Sequence, residues 1–291
     1  MRFSIDTFIY CFKKIAVVGR GAVGSAILQS LQPFVDEKLV KVDCYHSENI
    51  EDIFDQHYDL VIYAGVRAFK QSADSDPSAD LMHVLRAADI LTNVRAQSKI
   101  LISTIDAGLP DQYITAYGRN RRLLECRVMN SCSNCRILRL PALFGSTVVK
   151  NTWYDMMIGP ENVNLSKELT DMIAQDNQLF GKRNLNILSM TGNDSQFVWF
   201  NLDTILEAIV RIMQHNDKGT SLAVSYDDQH KDGMLLKHQT LKRLLGYGDV
   251  EQLQCYRSID YSKALTDQDV LFVNSPVKID DSEHWKKVIK K

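Results

Sequence analysis

"VVGRGAVGSAIL", residues 17–28, decides how the chain is read. Gly19, Gly21 and Gly24 stand there as G-x-G-x-x-G. An apolar run rich in Val and Ile, "KIAVVG", precedes them, and a segment with apolar residues at helical spacing follows as far as Pro33. A strand that turns through such glycines into a helix suits a pyrophosphate. Gly19 permits the tight turn, Gly21 lets the backbone approach the ligand, and Gly24 lets the helix pack close to the sheet. The first helical residues, Ala22 and Val23, add unpaired N–H groups and the positive end of the helix dipole. A glycine-rich turn with no ligand is the alternative, and the placement between strand and helix argues against it.

Working outward, short apolar runs alternate with longer amphipathic ones. "KLVKVDCYH", "DLVIYAG", "KILIST" and "RILRLPALFG" read as strands; "ADLMHVLRAADILTNVRA" and "YGRNRRLLECRVMN" read as helices, with a polar loop over 70–79. This alternation predicts an α/β fold, a Rossmann-type doubly wound parallel sheet with helices on both faces. After Gly145 strands become rarer. "STVVKNTWYDMMIG" and "NLSKELTDMIAQ" read as helices, and "FVWFNLDTILEAIVRIMQH" as a strongly amphipathic one capped near Asn201–Asp203. The expected division is a dinucleotide-binding domain over 13–145 and a smaller, mostly helical substrate-binding part over 146–291, from which about 196–215 returns to the first.

The 291 residues can bury one large core, or a large domain with a smaller one attached. A formal net charge of −2 and the lack of a long basic block make nucleic acid or a membrane surface poor partners. "MRFSIDTFIYCFKK" carries an Asp in its apolar run and no small-residue cleavage site, so it does not read as a signal peptide. No window approaches 18 uninterrupted apolar residues. A soluble, cytoplasmic protein is expected. Cys132 and Cys135 form a lone CxxC with no second pair to complete a zinc site, and His83 and His215 carry no ligand pattern. No metal is expected.

An acid near the end of the second strand binds the adenosine ribose in NAD sites, and Asp43 follows Gly24 at the expected interval. It favours NAD as the cofactor. The apolar run continues to Tyr45, however, which leaves His46 and Ser47 at the strand end and keeps NADP open.

The order of "GRGAVG", "DLVIYAG", "KILISTIDAG", "YGRNRRLLE" and "RILRLPALFG" resembles the short-chain dehydrogenase/reductase superfamily, and most of all its extended branch of nucleotide-sugar epimerases, dehydratases and reductases. The resemblance covers about residues 13–145. It implies that a hydroxyl residue ending the fourth strand orients the substrate oxygen. That role falls to Thr104 of "STID", with Ser103 in reserve beside the cofactor. A Tyr opening the next helix is the acid/base, here Tyr117, and a cation four residues on lowers its pKa and meets the nicotinamide ribose. The family has Lys at that place, and this chain has Arg121. The same resemblance puts Ala64, Gly65 and Pro141 against the cofactor, and implies a nucleotide-sugar substrate and a homodimer.

The chemistry explains the pattern. Moving a hydride to or from C–OH/C=O needs a proton moved within hydrogen-bond reach of that oxygen. Lowering a phenol from about 10 to near 7 takes roughly 4 kcal/mol of differential stabilisation, which a cation one helical turn away helps to supply. Arg keeps the charge of Lys but not its shape. The expected activity is an NAD(P)-dependent reductase or epimerase. "STIDAG" has Ile105 after Thr104 and lacks the Asp-Glu pair of dehydratases. Arg67, Lys70, Lys150, Asn151 and Arg183 are candidates to meet an anionic substrate, and Trp153 and Tyr154 to line its site. Because Arg121 departs from the pattern, a non-catalytic dinucleotide-binding module, either a sensor or an assembly subunit, is the alternative. Pairing of the helices at 80–97 and 117–130 would serve the latter.

Overall fold

The computed structural model of the protein describes residues 4–149, 151, 153, 154, 157, 196–214, 219–226, 235–244, 260–265, 269–275, 279 and 281–289. Seven parallel strands form the main sheet: β1 (Lys14–Val18), β2 (Lys41–Tyr45), β3 (His57–Tyr63), β4 (Arg95–Thr104), β5 (Cys135–Leu140), β9 (Gly219–Tyr226) and β11 (Asp269–Asn274). Their order across the sheet is β2-β1-β3-β4-β5-β9-β11. The chain therefore leaves β1 in one direction for β2 and returns on its other side for β3. That reversal opens a crevice at the carboxyl ends of β1 and β3, where doubly wound sheets hold their ligands.

The two faces of the sheet are covered as the alternating sequence predicts. Helix α1 (Ile5–Cys11), α2 (Ala22–Asp36) and α6 (Ile205–Gln214) lie on one face, where Phe8, Ile27, Leu31, Ile205 and Ile209 pack with Ile15 and Val17. Helices α4 (Pro77–Asn93) and α5 (Ala116–Ser131) cover the other, where Val84, Leu91, Leu124 and Val128 meet Val18, Val61 and Leu101. Residues 15–18 alternate between these two clusters, as strand periodicity requires.

Several elements differ from the sequence reading. The loop expected over 70–79 contains a short helix, α3 (Lys70–Ser75), before Asp76 caps α4 through the Ala79 N–H. Strand β4 begins at Arg95, inside the segment read as the end of the preceding helix, because Arg95 and Ala96 pair with His57 and Tyr58. The main sheet also does not stop near residue 145. β9 and β11 lie beyond it and extend the sheet past β5.

The second half further supplies β7 (Gln196–Phe197), β8 (Trp199–Asn201), β10 (Leu236–Lys237), α7 (His238–Leu244) and α8 (Ser282–Ile289), with β8 pairing β6 (Ala142–Phe144). Asn201 is fully buried and caps the turn before α6, accepting from the Asp203 N–H at 3.1 Å, as its sequence position suggests. The helix read in "NLSKELTDMIAQ", and most of that in "STVVKNTWYDMMIG", lie outside the described residues. Trp153 is buried in an aromatic cluster with Phe144 and Trp285. Cys132 and Cys135 are buried free thiols, and burial pushes the Cys135 thiol up to about 12.

The glycine turn is the tightest backbone packing at the crevice. Gly19 has φ +107°, and a Cβ on it would lie 2.7 Å from the Ala64 carbonyl carbon. A Cβ on Gly24 would stand 1.9 Å from the Gly19 carbonyl oxygen. Gly24→Ala is accordingly expected to cost about 1–3 kcal/mol through overpacking, read as a lower urea midpoint. An unchanged midpoint would show that α2 can move off the turn freely.

Candidate active site

The site grows from the carboxyl ends of the central strands. Helix α2 starts at Gly21, which gives no side-chain cap, so its first N–H groups are not satisfied by a capping side chain. A Cβ built on Gly21 would meet nothing within 4 Å. A bare helix end, open space over the middle glycine and two glycines packed against backbone together fit a bound pyrophosphate. Ala22 and Val23 form the first turn of α2, with Ala64 and Gly65 directly after β3. Pro141 follows β5 and is buried.

Asp43 lies elsewhere. It sits mid-strand, paired in register with Ala16, two residues before β2 ends at Tyr45. At about 3.3 Å per residue, that leaves it roughly 7 Å short of the strand end. Its Oδ2 accepts from the Tyr58 hydroxyl at 2.9 Å and its Oδ1 stands 3.4 Å from Lys41 Nζ.

Thr104 and Tyr117 do come together. Thr104 ends β4 and caps the 3-10 turn Ile105–Gly108; Tyr117 is in the first turn of α5, its N–H bonded to Asp74 Oδ1 at 2.9 Å. Burial raises the Tyr117 phenol above its ordinary range, the Arg121 and Lys70 charges and a hydrogen bond with Thr104 pull it down, and Asp106 adds to the rise. The net shift is upward, so the resting group is a protonated phenol and not the phenolate that a cation alone would favour. Ser103 is used differently. Its hydroxyl donates to Glu125 Oε1 at 2.6 Å, and Glu125 is ion-paired with Arg139 at 2.6 Å.

Arg121 shares the helix face of Tyr117 and is buried. Its guanidinium carbon lies 3.9 Å from the Tyr117 ring centroid. Nη1 is ion-paired with Asp80 of α4, and Nη2 donates to the Arg67 carbonyl. Both partners of the Arg121–Asp80 pair are buried. Arg121 thus ties α5 to α4 and to the segment after β3, and its two terminal nitrogens are already committed within the protein.

The cation with a more open side chain is Lys70. Its Nζ stands 2.5 Å from Asp106 Oδ1, 2.8 Å from the Tyr261 hydroxyl and 5.8 Å from the Tyr117 ring centroid, with its side chain 43% exposed. Burial works against its charge, but Asp106 and Tyr261 outweigh it and hold the ammonium protonated. Asp106 also accepts from the Thr104 hydroxyl at 2.8 Å. Asp106, two residues after Thr104, was within reach of sequence reasoning. Asp80 and Tyr261 had no local signal, since they arrive from α4 and from a turn more than 140 residues downstream of Tyr117. Of the other candidates, Arg67 is exposed, Asn151 donates to the Leu143 carbonyl at 2.8 Å, and Tyr154 packs against the core. Lys150 and Arg183 lie outside the described residues. Among the described residues, no group of three His, Cys, Asp or Glu could hold a metal ion, and no helix is long and apolar enough to cross a membrane.

No family model matches the sequence, and no curated protein matches it significantly. Solved structures do match the fold. A UDP-glucose 4-epimerase of Thermotoga maritima, solved with UDP-glucose, is 15% identical, with 95% of this chain and 98% of that one covered at a TM-score of 0.61. The Bordetella bronchiseptica enzyme WbmF, solved with NAD+, is 13% identical over 97% and 92% at 0.57. A dTDP-4-dehydrorhamnose reductase of Bacillus anthracis, solved with NADP, is 13% identical over 90% and 85% at 0.58. This chain shares their fold.

Arg121→Met leaves the Asp80 carboxylate buried without its cation, with the Asn120 amide still donating to it at 2.8 Å, and is expected to cost about 3–5 kcal/mol. Adding Asp80→Asn should recover much of that loss. Urea denaturation of the single and double variants measures both; equal losses would show that the charge pair is not what Arg121 contributes.

Proposed function

We propose that the protein is an NAD(P)-dependent reductase or epimerase acting on a nucleotide sugar. The observation that carries this reading is the Thr104–Tyr117 pair at the end of β4, beside a glycine turn shaped for a pyrophosphate. The shared fold with enzymes solved with UDP-glucose, NAD+ and NADP supports the same substrate and cofactor classes. Gly19, Gly21, Gly24 and the first turn of α2 would hold the dinucleotide phosphates, with Ala64, Gly65 and Pro141 alongside. Bound there, the dinucleotide supplies or accepts the hydride.

The protein's own groups then handle the proton. Tyr117, protonated at rest, gives its proton to a substrate carbonyl oxygen, or takes one back from a hydroxyl in the reverse direction. Thr104, whose hydroxyl lies between Asp106 and the Tyr117 phenol, would hold the substrate oxygen in register with Tyr117. Lys70 adds an ammonium near the phenol beside Arg121, whose charge also draws the phenol down while its terminal nitrogens are bound up with Asp80 and the Arg67 carbonyl. The same reading includes a homodimer, supported by Met82 and Leu123, which α4 and α5 expose at 67% and 39%. A cytoplasmic location goes with it, supported by the free thiols of the described cysteines.

The commitment of Arg121 favours a second reading, a dinucleotide-binding module without turnover. Purified protein titrated with NADH and NADPH, then incubated with UDP- and dTDP-linked sugars, separates the two. Turnover that Tyr117→Phe lowers by about 10²–10⁴-fold, with dinucleotide affinity retained, is the expected result. Binding without any exchange would favour the module, and no binding of either dinucleotide would remove both readings.

A further inference from the structure

The adenosine end of the site has a charge arrangement that bears on which dinucleotide it takes; the inference rests on the dinucleotide-binding reading above. A site for NAD presents a carboxylate to the ribose 2′-hydroxyl from the end of the second strand, whereas a site for NADP presents cationic and hydroxyl groups to a 2′-phosphate. Asp43 is the acid in the sequence interval for the first arrangement, but it stands two residues before the end of β2 with both carboxylate oxygens engaged. The Tyr58 hydroxyl that binds it is itself bonded to the Tyr45 hydroxyl at 2.6 Å, on the sheet face that carries α4 and α5. To reach a ribose at the strand end, Asp43 would have to leave this buried chain of hydroxyls.

The strand end itself is fixed against the glycine turn. The Gly19 N–H donates to the Tyr45 carbonyl at 2.8 Å, so the residues following each, Arg20 on one side and His46 and Ser47 on the other, emerge next to one another. The turn after β2 is pinned by Asn49, which accepts from the His46 N–H at 2.7 Å and donates to the Cys44 carbonyl at 3.2 Å. Arg20 is exposed, and among the described residues its guanidinium has no hydrogen bond or ion pair. Ser47 is exposed as well. The one carboxylate of this turn, Glu48, has its side chain 88% exposed, 4.0 Å from His46 Nδ1. An unpaired guanidinium beside a hydroxyl and an imidazole, with the acid withdrawn into the strand, matches a phosphomonoester better than a bare ribose.

We propose that Arg20, with His46 and Ser47, receives the 2′-phosphate of NADP(H), and that the protein takes NADP(H) in preference to NAD(H).

The test is direct binding of NADPH and NADH, with 2′,5′-ADP and 5′-AMP as competing fragments, to the wild type and to Arg20→Ala and Arg20→Lys. NADPH is expected to bind about tenfold or more tightly than NADH, the scale of one charge-assisted contact, and 2′,5′-ADP to compete better than 5′-AMP. Arg20→Ala should remove most of that difference by weakening NADPH alone, and Arg20→Lys should restore part of it. Because Arg20 is exposed and its guanidinium makes no hydrogen bond or ion pair among the described residues, neither change is expected to disturb the fold. Equal or tighter binding of NADH by the wild type, or an Arg20→Ala loss shared by both dinucleotides, overturns the proposal while leaving the dinucleotide site intact. Failure of both dinucleotides to bind overturns the proposed function, and this inference with it.

Discussion

The rest of the structure depends on a close backbone approach at the end of β1. Gly24 lies so near the Gly19 carbonyl, and Gly19 so near Ala64, that no side chain fits at either place. This contact fixes where α2 leaves the sheet, and α6 packs in turn on the same face. It also joins the turn after β1 to the turn after β3, the two ends that frame the crevice. The arrangement costs the chain the conformational freedom of its glycines. In return it leaves a helix end uncapped and open space over Gly21, which is a use for a ligand and not for the fold.

Around that crevice the described buried charges are held in partnerships. Arg121 meets Asp80, Glu125 meets Arg139 and Ser103, and Asp106 meets Lys70 and the Thr104 hydroxyl. Pairing of this kind is what burial demands of a charge. Its consequence for chemistry is a division of roles. One cation, Arg121, stiffens the platform under Tyr117, while another, Lys70, stands with its side chain partly in solvent near the same ring.

The sequence made the fold legible because its signals were local. A glycine turn between strand and helix, and strands alternating with helices, need only a few neighbouring residues to be recognised, and the parallel sheet with helices on both faces followed from them. The pairing of Thr104 with Tyr117 was legible for the same reason, both lying at the ends of regular elements. What escaped depended on distant partners. Arg121 read as a cation that draws the Tyr117 phenol down and meets a ribose; its charge does act on the phenol, but Asp80, 41 positions away, and the Arg67 carbonyl hold its terminal nitrogens within the protein. Lys70 read as a candidate to meet an anionic substrate from a polar loop, but Asp106 and Tyr261, the latter 191 positions away, hold it near Tyr117. Asp43 kept the right interval from Gly24, and its place two residues before the strand end follows the apolar run to Tyr45 that the sequence already displayed.

β5 pairs with β9 over Arg136–Gly219 to Arg139–Leu222, so one side of the central sheet is completed only by chain synthesised more than 75 residues later. Closing a loop of that length delays the contact more than it weakens it. Until residue 226 emerges, β5 is an unprotected edge: a row of unpaired N–H and C=O groups beside the apolar side chains of Ile137 and Leu138. The first five strands are therefore not a finished object in their own right. During synthesis that open edge can pair with a neighbouring chain until β9 covers it.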